Sequence, residues 1–475
     1  MKKLSALFLV LLLALFTGQT LFAQDGAVLS NEADKTGTMD ELKISMDTNN
    51  AQLAKARQTY IQSLLDVKNA KANYQPTISL LLTSTYMPNP PIGKMTISVD
   101  SLSSQLGIVV PGAAAGEYIT LYNGMKNVYY NAGLSITQPL FTWGKIPNAV
   151  KIYTKIAEIR ALAIEDTSNQ LTAQLKARVS ALKYMDEILV LLDQTKEVAD
   201  ELVQVSQNAY DNGMLLKQDV VKARISAMEI DVTRQEIMKE YRTNLQGLRT
   251  LTGNEGLQSN DIDFSVNEDE IQAIVAIDHD ELYSMATRAS SEPLTMLQKQ
   301  TQALQLKKKV AQDSLYWKPD LALQVSLNYG GSAFPLVETN WYRADDYGLY
   351  VTLAIKSTVW DGGKKLNDVS YTQSEILGSI ADYDAAVDQL QSVAEENIAA
   401  AELAQAKIEY IGLKLEESQN RLELLERQFE VGYISKTDVL SQQIEVYTNQ
   451  MNLIKEKISL AQAAYTLAYV TGILE

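Results

Sequence analysis

Residues 347–356 read YGLYVTLAIK, in which large apolar side chains alternate with mostly small, polar or charged ones. An alternation with a period of two is typical of a β-strand that has one apolar face and one polar face. The same pattern predicts three further strands, over residues 77–86, 128–137 and 321–329. The four segments are 9–10 residues long, which matches the length of a strand that crosses a membrane.

Aromatic residues at the strand ends favour a membrane sheet over a half-buried soluble sheet, which would show the same alternation. Tyrosines lie at the loop ends of the strands and tryptophans near the opposite ends, as in the girdles of membrane barrels. These residues are Tyr86, Tyr130, Tyr329 and Tyr347, and Trp143, Trp317 and Trp360. Because the smallest membrane barrels have about eight strands, four strands per chain predict a barrel that several chains share.

The sequence contains an internal duplication. YDNG at residues 210–213 is matched by FEVG at 429–432, and the pair Asp-Val at 219–220 recurs at 438–439. The offset is 219 residues in both cases. A repeat of this length indicates that one structural unit has been duplicated within the chain.

The duplication predicts one unit over residues 24–253 and a second over 279–475, joined by an acidic segment at 254–278. The predicted elements are strands 77–86 and 128–137 with helices 39–74, 147–210 and 217–252 in the first unit, and strands 321–329 and 347–356 with helices 280–316, 365–428 and 436–470 in the second. The acidic segment is expected either to form a belt where the short helices meet or to be a solvated linker.

The long helices predict the overall dimensions. From Pro147 to Ala209 no glycine or proline interrupts the chain, and apolar residues recur at helical spacing. At 1.5 Å per residue this helix is roughly 95 Å long, and two shorter helices laid end to end span the same length. The sequence therefore predicts a helical tube about 100 Å long beside the membrane sheet.

The N-terminus is typical of a secretory signal peptide. Lys2 and Lys3 precede an apolar run over residues 4–16, and small residues near Ala23 suit a cleavage site, so residues 1–23 are predicted to be removed. The alternative, a membrane anchor, needs a longer run. No later stretch approaches the roughly 20 apolar residues of a spanning helix, so a mature chain that crosses a membrane is expected to do so as a β-barrel.

Composition excludes several classes of function. The net charge of −16 argues against nucleic acid as a partner, because phosphate binding requires a basic face. The chain has no cysteine and a single histidine, His279, which excludes thiolate chemistry and Cys-based zinc sites. No phosphate loop, zinc motif or nucleophile elbow is present, so we predict a protein without enzymatic activity, metal or cofactor.

The repeated order of these features resembles the TolC-type outer-membrane efflux family. The residues that carry the resemblance are QPLF at 138–141, its degenerate copy TVWDGG at 358–363, and the turn segments that contain Gly213 and Gly432. The resemblance covers essentially the whole mature chain. It implies a mixed α and β membrane protein in which three chains share a 12-strand barrel that continues into a periplasmic α-helical barrel.

The resemblance also implies the function and the partners. Channels of this family are exit ducts in the outer membrane of Gram-negative bacteria for tripartite efflux pumps or type I secretion systems. The expected partners are a periplasmic adaptor protein, an inner-membrane transporter and outer-membrane lipid. The alternative from the residues is a periplasmic coiled-coil or adaptor protein, which would have the helices without the four strands. The exported substrate is left open, because the pump selects it.

The two helix-turn-helix tips are the candidate pore mouth. By resemblance, Asp438 lies at a position where carboxylates narrow the entrance, and Asp219 is its counterpart in the first half. A ring of three Asp438 carboxylates would favour cations. The alternative is that each aspartate only caps the start of its helix.

The residues of the family's closed gate differ in this chain. Ser441 stands where the gate has a second aspartate and Phe429 where it has a tyrosine, so packing by Phe429 and Tyr433 is expected to hold the mouth. Gly213 and Gly432 are expected to permit the tight tip turns and the contact with the adaptor. At the opposite end, the loop over residues 87–127 is hypothesised to face outside and to cover part of the exit.

Overall fold

The computed structural model describes residues 37–89, 93–109, 111–122, 127–288, 291–315, 318–331 and 347–474. The predicted signal peptide and Trp317 lie outside the described residues. The first half contains α1 (Met39–Asn49), α2 (Ala51–Ala72), β1 (Thr77–Tyr86), β2 (Met95–Ser98), α3 (Val99–Leu106), β3 (Tyr118–Tyr122), β4 (Val128–Phe141), α4 (Lys145–Asp211) and α5 (Lys217–Thr252). The acidic segment at 254–278 contains α6 (Glu268–Val275). The second half contains α7 (His279–Ala286), α8 (Glu292–Asp313), β5 (Asp320–Gly331), β6 (Tyr347–Lys356), α9 (Lys364–Glu430) and α10 (Lys436–Thr471).

The four long strands form one antiparallel sheet in the order β1-β4-β5-β6. Leu80 pairs with Leu134, Leu134 with Leu327, and Leu327 with Leu349, so apolar residues of all four strands lie on one row. The β4–β5 pair joins the two halves, and β1 and β6 are the edge strands of the sheet within one chain. Leu82 of β1 and Val351 of β6 are 68% and 67% exposed, so this sheet does not bury its apolar face within the chain.

The helices repeat with the same offset as the sequence. Helices α4 and α9 have 67 residues each, so each is about 100 Å long, and α5 and α10 have 36 residues each. Helix α4 is central, because it packs against α2, α5, α8 and α10, and α10 also packs against α9. Among the helices of the described ranges, none is both apolar enough and long enough to cross a membrane.

The two largest apolar clusters of the described residues lie where the belt (residues 254–278) meets the helices. In the first half, Leu42 and Met46 of α1 pack with Leu175 of α4 and with Leu257 and other residues of the belt. In the second half, the belt residues Ile271 and Ile274 pack against α9 and α10. All six side chains are 6% exposed or less, so the belt is fixed to both halves by buried apolar contacts.

The single helix predicted over residues 39–74 is wrong, because Asn50 separates α1 from α2. Asn50 has an extended conformation, with φ −66° and ψ 126°, and its side chain accepts the backbone N–H of Gln52 at 2.8 Å. Its Nδ2 donates to the Leu251 carbonyl at 2.9 Å, which fixes the break against the end of α5. The side chain thus replaces the helical hydrogen bonds that are lost at the break.

The helix predicted over residues 280–316 is also two helices, α7 and α8. Pro293 is the second residue of α8, a position that tolerates proline because its missing N–H would have no helical partner there.

The other differences lie at element ends. The strand predicted over 128–137 continues to Phe141 through Pro139, with a bulge after Pro139, and the long helices predicted over 147–210 and 365–428 each extend by up to two residues at both ends.

The loop predicted over residues 87–127 contains a small folded unit, which we call the insert (residues 93–122, of which the structure describes 93–109 and 111–122). Strands β2 and β3 pair in an antiparallel hairpin with α3 between them. Val99 donates its backbone N–H to the Glu117 carbonyl at 2.8 Å, and Met87 donates to the Asn127 carbonyl at 2.7 Å at the base of the loop. The insert joins the ends of β1 and β4 that lie opposite the helical tube.

Candidate functional site

Two helix-turn-helix tips form the end of the helical tube that is distant from the sheet. Gly213 follows α4 with φ +75° and Gly432 follows α9 with φ +78°, in the left-handed region that favours glycine. After each glycine the chain bonds back to the helix, from Met214 N to the Ala209 carbonyl at 2.8 Å and from Tyr433 N to the Gln428 carbonyl at 2.9 Å. This pattern ends both long helices sharply, so α5 and α10 start one short turn later.

Both tip aspartates cap the helix in which they lie. Asp438 is the third residue of α10, and its Oδ2 accepts the backbone N–H of Ser435 at 3.1 Å and the Ser435 hydroxyl at 2.6 Å. Asp219 is the third residue of α5 and accepts the Leu216 N–H at 3.3 Å. Within one chain these carboxylates therefore satisfy backbone donors and oppose the positive end of the helix dipole.

The other predicted mouth residues lie around the second tip. Ser441 is exposed on α10 and donates its hydroxyl to the Thr437 carbonyl at 2.7 Å, as serines in helices commonly do. Phe429 is 41% exposed and Tyr433 is 84% exposed, so neither aromatic ring is buried within one chain. Both residues flank Gly432 in the chain, and the Phe429 carbonyl accepts the Gly432 backbone N–H at 2.9 Å.

Sequence reasoning missed the apolar surface of the tips. Met214, Leu216 and Val431 are 78%, 66% and 67% exposed, and with Tyr433 they place apolar side chains at both turns. The available signal was the run Met-Leu-Leu at 214–216, which is unusual for a solvated turn directly after a glycine. An exposed apolar patch of this kind is typical of a protein-binding surface.

Polar contacts hold both tips against α4. Lys436, the first residue of α10, forms an ion pair with Glu201 of α4. In the first half, Arg224 of α5 donates to Gln207 of α4 at 3.1 Å. Because these contacts cross between helices, the two tips are tied to the same long helix.

An apolar stripe runs along the outer face of α5. It consists of Val221, Ile225, Met228 and Val232, which are between 46% and 62% exposed. Positions 219 residues later lie on α10, where Leu440 and Met451 are 4% and 6% exposed and pack in clusters with α4, while Ile444 and Tyr447 are half-buried. The same helical face is thus largely covered in the second half and open in the first.

The belt is fixed by charged contacts between halves. Glu268 accepts hydrogen bonds from Lys457 of α10 at 2.8 Å and from the Tyr184 hydroxyl of α4 at 3.2 Å. The bond from Lys457 holds the pKa of the Glu268 carboxyl below its usual value.

A second carboxyl with a shifted pKa lies elsewhere on α4. Burial raises the pKa of the Asp166 carboxyl, and a hydrogen bond that the Tyr469 hydroxyl donates to it at 3.0 Å has the opposite effect. Within the described part of the chain, no group of acidic or histidine side chains could hold a metal ion.

Comparison with known families identifies this architecture. Residues 45–254 and 285–473, which make up most of the chain, match the family model described as outer membrane efflux protein. The chain belongs to the outer membrane efflux protein family. The two matched segments correspond to the two repeats, so the family resemblance inferred from the sequence is confirmed.

Solved channel structures share the fold of this outer membrane efflux protein. VceC, an outer membrane protein of Vibrio cholerae, is 14% identical with a TM-score of 0.66, and the match covers 91% of this chain and 96% of VceC. The Campylobacter jejuni outer membrane channel CmeC is 12% identical with a TM-score of 0.67, over 91% of this chain and 85% of CmeC. The open state of the Neisseria gonorrhoeae channel MtrE is 13% identical with a TM-score of 0.66, over 95% and 94%. A comparison with curated proteins found no match.

Family membership places the chain among the transport proteins of the outer membrane. The predicted fold class, in which membrane strands continue into long helices after an internal duplication, is confirmed by the family match and the channel structures. The alternative of a periplasmic adaptor without membrane strands is set aside, because the sheet is present. As an outer membrane efflux protein, the chain provides a channel; the tip residues remain its candidate mouth.

Proposed function

We propose that three copies of this chain form the exit duct of a tripartite efflux pump or type I secretion system. Four strands from each copy would close a 12-strand barrel in the outer membrane, and the helices would extend into the periplasm as a tube. A periplasmic adaptor would join the tips to an inner-membrane transporter, which would select the exported small molecule or protein. The duct itself performs no chemistry.

The observation that carries this proposal is the unequal burial of equivalent helix faces. Helix α10 packs extensively against both long helices, whereas its counterpart α5, in the described part of the chain, packs extensively against α4 but not α9. The second long helix, α9, also has an open apolar face, with Leu403, Tyr410 and Leu424 between 54% and 62% exposed. If α5 of one copy packs on α9 of the next, the two exposed apolar faces cover each other. This contact would repeat the one that their counterparts α10 and α4 make inside the chain.

The sheet supports the same closure. Edge strands in a membrane leave backbone donors and acceptors without partners, at a cost of several kcal/mol for each group. In the duplication, β4 of the first repeat corresponds to β6 of the second, and β1 of the first corresponds to β5 of the second. The β4–β5 pair within one chain is therefore the model for a pair between β6 of one chain and β1 of the next. A closed ring of copies satisfies both edges with one repeated contact.

The tips support the proposed connection to an adaptor. Their exposed apolar side chains surround two glycines at which an added Cβ would have open space around it within the described chain. A partner helix or loop can therefore approach the backbone closely at Gly213 and Gly432. Three copies would also bring three Asp438 and three Asp219 carboxylates to one mouth, where they would favour cations while they cap their helices.

Native mass spectrometry combined with planar-bilayer recording tests the proposal. Protein extracted from outer membranes should have three times the mass of the mature chain and should produce stepwise conductance in the bilayer. A photo-crosslinker at Met214 should form a product with a periplasmic adaptor, while one at the exposed belt residue Glu255 should not. A single-chain mass, or a trimer that conducts no ions, would contradict the proposal.

A further inference from the structure

We infer that the insert is a self-association surface that packs against the inserts of neighbouring copies over the channel exit. The inference rests on the proposed trimer and goes beyond it, because a closed barrel does not require the insert. It assigns a partner, a second copy of this chain, to an apolar surface that the transport function does not explain.

The insert is folded but exposes most of its apolar side chains. Val99 and Leu102 are its two buried apolar residues among those described, at 8% and 9% exposure. By contrast, Val109 and Tyr118 are 80% and 70% exposed, and Leu106 and Leu121 are each 62% exposed. A hairpin and one short helix are too small to bury these groups alone, so the surface is suited to a partner.

The place of the insert in the chain selects that partner. The insert directly follows β1, and β1 is the edge strand that would pair with β6 of the next copy. It therefore starts at the junction between two copies, at the end of the sheet opposite the helices. In a three-fold ring, three inserts would stand around a single exit, and each would have a neighbour on both sides.

Charge also favours association between identical inserts. The chain as a whole has a net charge of −16, which disfavours contacts between its acidic surfaces. In residues 93–122 the charged residues are only Lys94, Asp100 and Glu117, which leaves a net charge of −1. Nearly uncharged apolar surfaces of identical copies can meet without like-charge repulsion.

Cysteine cross-linking tests the contact directly, because the chain has no cysteine of its own. Val109→Cys and Leu121→Cys, tested separately with a short bismaleimide on intact cells, should give covalent dimers on denaturing gels. Glu255→Cys in the belt is the matched control and should remain monomeric. Monomers alone from both insert variants would overturn the inference.

Single-channel recording tests the consequence for the exit. Replacing the insert by a short Gly–Ser link should increase the conductance, because the three inserts no longer cover the opening. The double variant Val109→Asp and Leu121→Asp keeps the length of the chain and should produce the same increase, since the added carboxylates of three copies would repel each other. Unchanged conductance in both variants would overturn the inference.

Two further outcomes distinguish a contact between inserts from a lipid-covered surface and from a failure of the trimer itself. In the Val109→Cys variant, quenching of an attached fluorophore by spin-labelled lipid, without cross-linking between copies, would show that lipid covers the surface and would overturn the inference. A wild-type protein that is not trimeric would instead contradict the proposed function. A conducting trimer whose inserts neither cross-link nor restrict the current would contradict only the proposal for the insert.

Discussion

Leu440 and Val221 occupy equivalent positions of the two repeats, yet Leu440 is 4% exposed and Val221 is 46% exposed. Leu440 packs in an apolar cluster with Leu202 and Ala223, whereas Val221 faces outward from α5. In the second repeat this position therefore stabilises the chain itself. In the first repeat it is exposed and can contact another chain.

This difference predicts opposite effects for a matched pair of variants. Leu440→Ala should lower the free energy of unfolding by about 2–5 kcal/mol, because it leaves a cavity among buried apolar groups. Val221→Asp should leave the fold of the chain intact and reduce the trimer fraction on unheated gels. Circular dichroism during chemical unfolding and gel mobility separate the two effects. A Val221→Asp variant that trimerises like wild type would count against the proposed contact between α5 and the next chain.

The charge and the capping function of Asp438 can be separated by two substitutions. Asp438→Asn removes the charge but keeps a side-chain oxygen that can accept the Ser435 N–H. Asp438→Ala removes the charge and the acceptor oxygen, and it should cost roughly 0.5–2 kcal/mol of helix stability. If three carboxylates line the mouth, both variants should reduce cation selectivity, measured as the reversal potential in a salt gradient. Unchanged selectivity in Asp438→Asn would assign the residue to capping alone.

Glycine at the second tip is required by backbone conformation. Gly432→Ala should destabilise the turn by about 1–2 kcal/mol, because alanine resists the left-handed region and no steric clash contributes. Gly378 in the interior of α9 is the control, since Gly378→Ala should stabilise that helix by roughly 0.5–1 kcal/mol. Hydrogen exchange at the two sites measures both effects. Equal protection at the tip in wild type and Gly432→Ala would contradict the assignment.

Burial of Asp166 predicts a specific dependence of stability on pH. Burial raises the pKa of this carboxyl in the folded state above its ordinary value of 3.8. As the pH rises from 3.8 through the folded-state pKa, the carboxyl ionises less readily in the folded chain than in the unfolded chain, so the free energy of unfolding falls. Asp166→Asn should therefore be more stable than wild type at pH 7, and the gain should vanish below about pH 3.8. Asp193→Asn, at an exposed site on the same helix, should show no such gain in thermal unfolding.

Much of the fold could be predicted because its signals are local and repeated. Alternation along residues 347–356 and unbroken helical spacing after Pro147 each indicate one type of element, and the duplication supports each prediction twice. The break at Asn50 combines a local cap, in which Asn50 accepts the Gln52 N–H, with a hydrogen bond to Leu251, about 200 residues away in sequence, and that distant bond could not be predicted. The folded insert could not be predicted either, because its short strands stand among glycines and prolines that are typical of a loop.

The candidate mouth was only partly predictable, because its main features are relationships between elements. The sequence located both aspartates and both glycines, but it left capping and pore lining as alternatives for Asp438. The hydrogen bonds to Ser435 show capping within one chain, and a position in the pore depends on three chains together. The apolar tips were missed because Met214 and Leu216 differ from core residues only in their exposure.

A cross-link between edge strands tests the shared barrel most directly. Ile136 pairs with Val325 where β4 meets β5. Ile355 of β6 lies 219 residues after Ile136, and Leu82 is the sixth residue of β1 as Val325 is the sixth of β5, so Ile355 and Leu82 are the corresponding residues at the junction between chains. In the variant with Leu82→Cys and Ile355→Cys, oxidation of outer membranes should give a covalent trimer and no larger product. Monomers alone, or a ladder that extends beyond the trimer, would contradict a barrel closed by three chains.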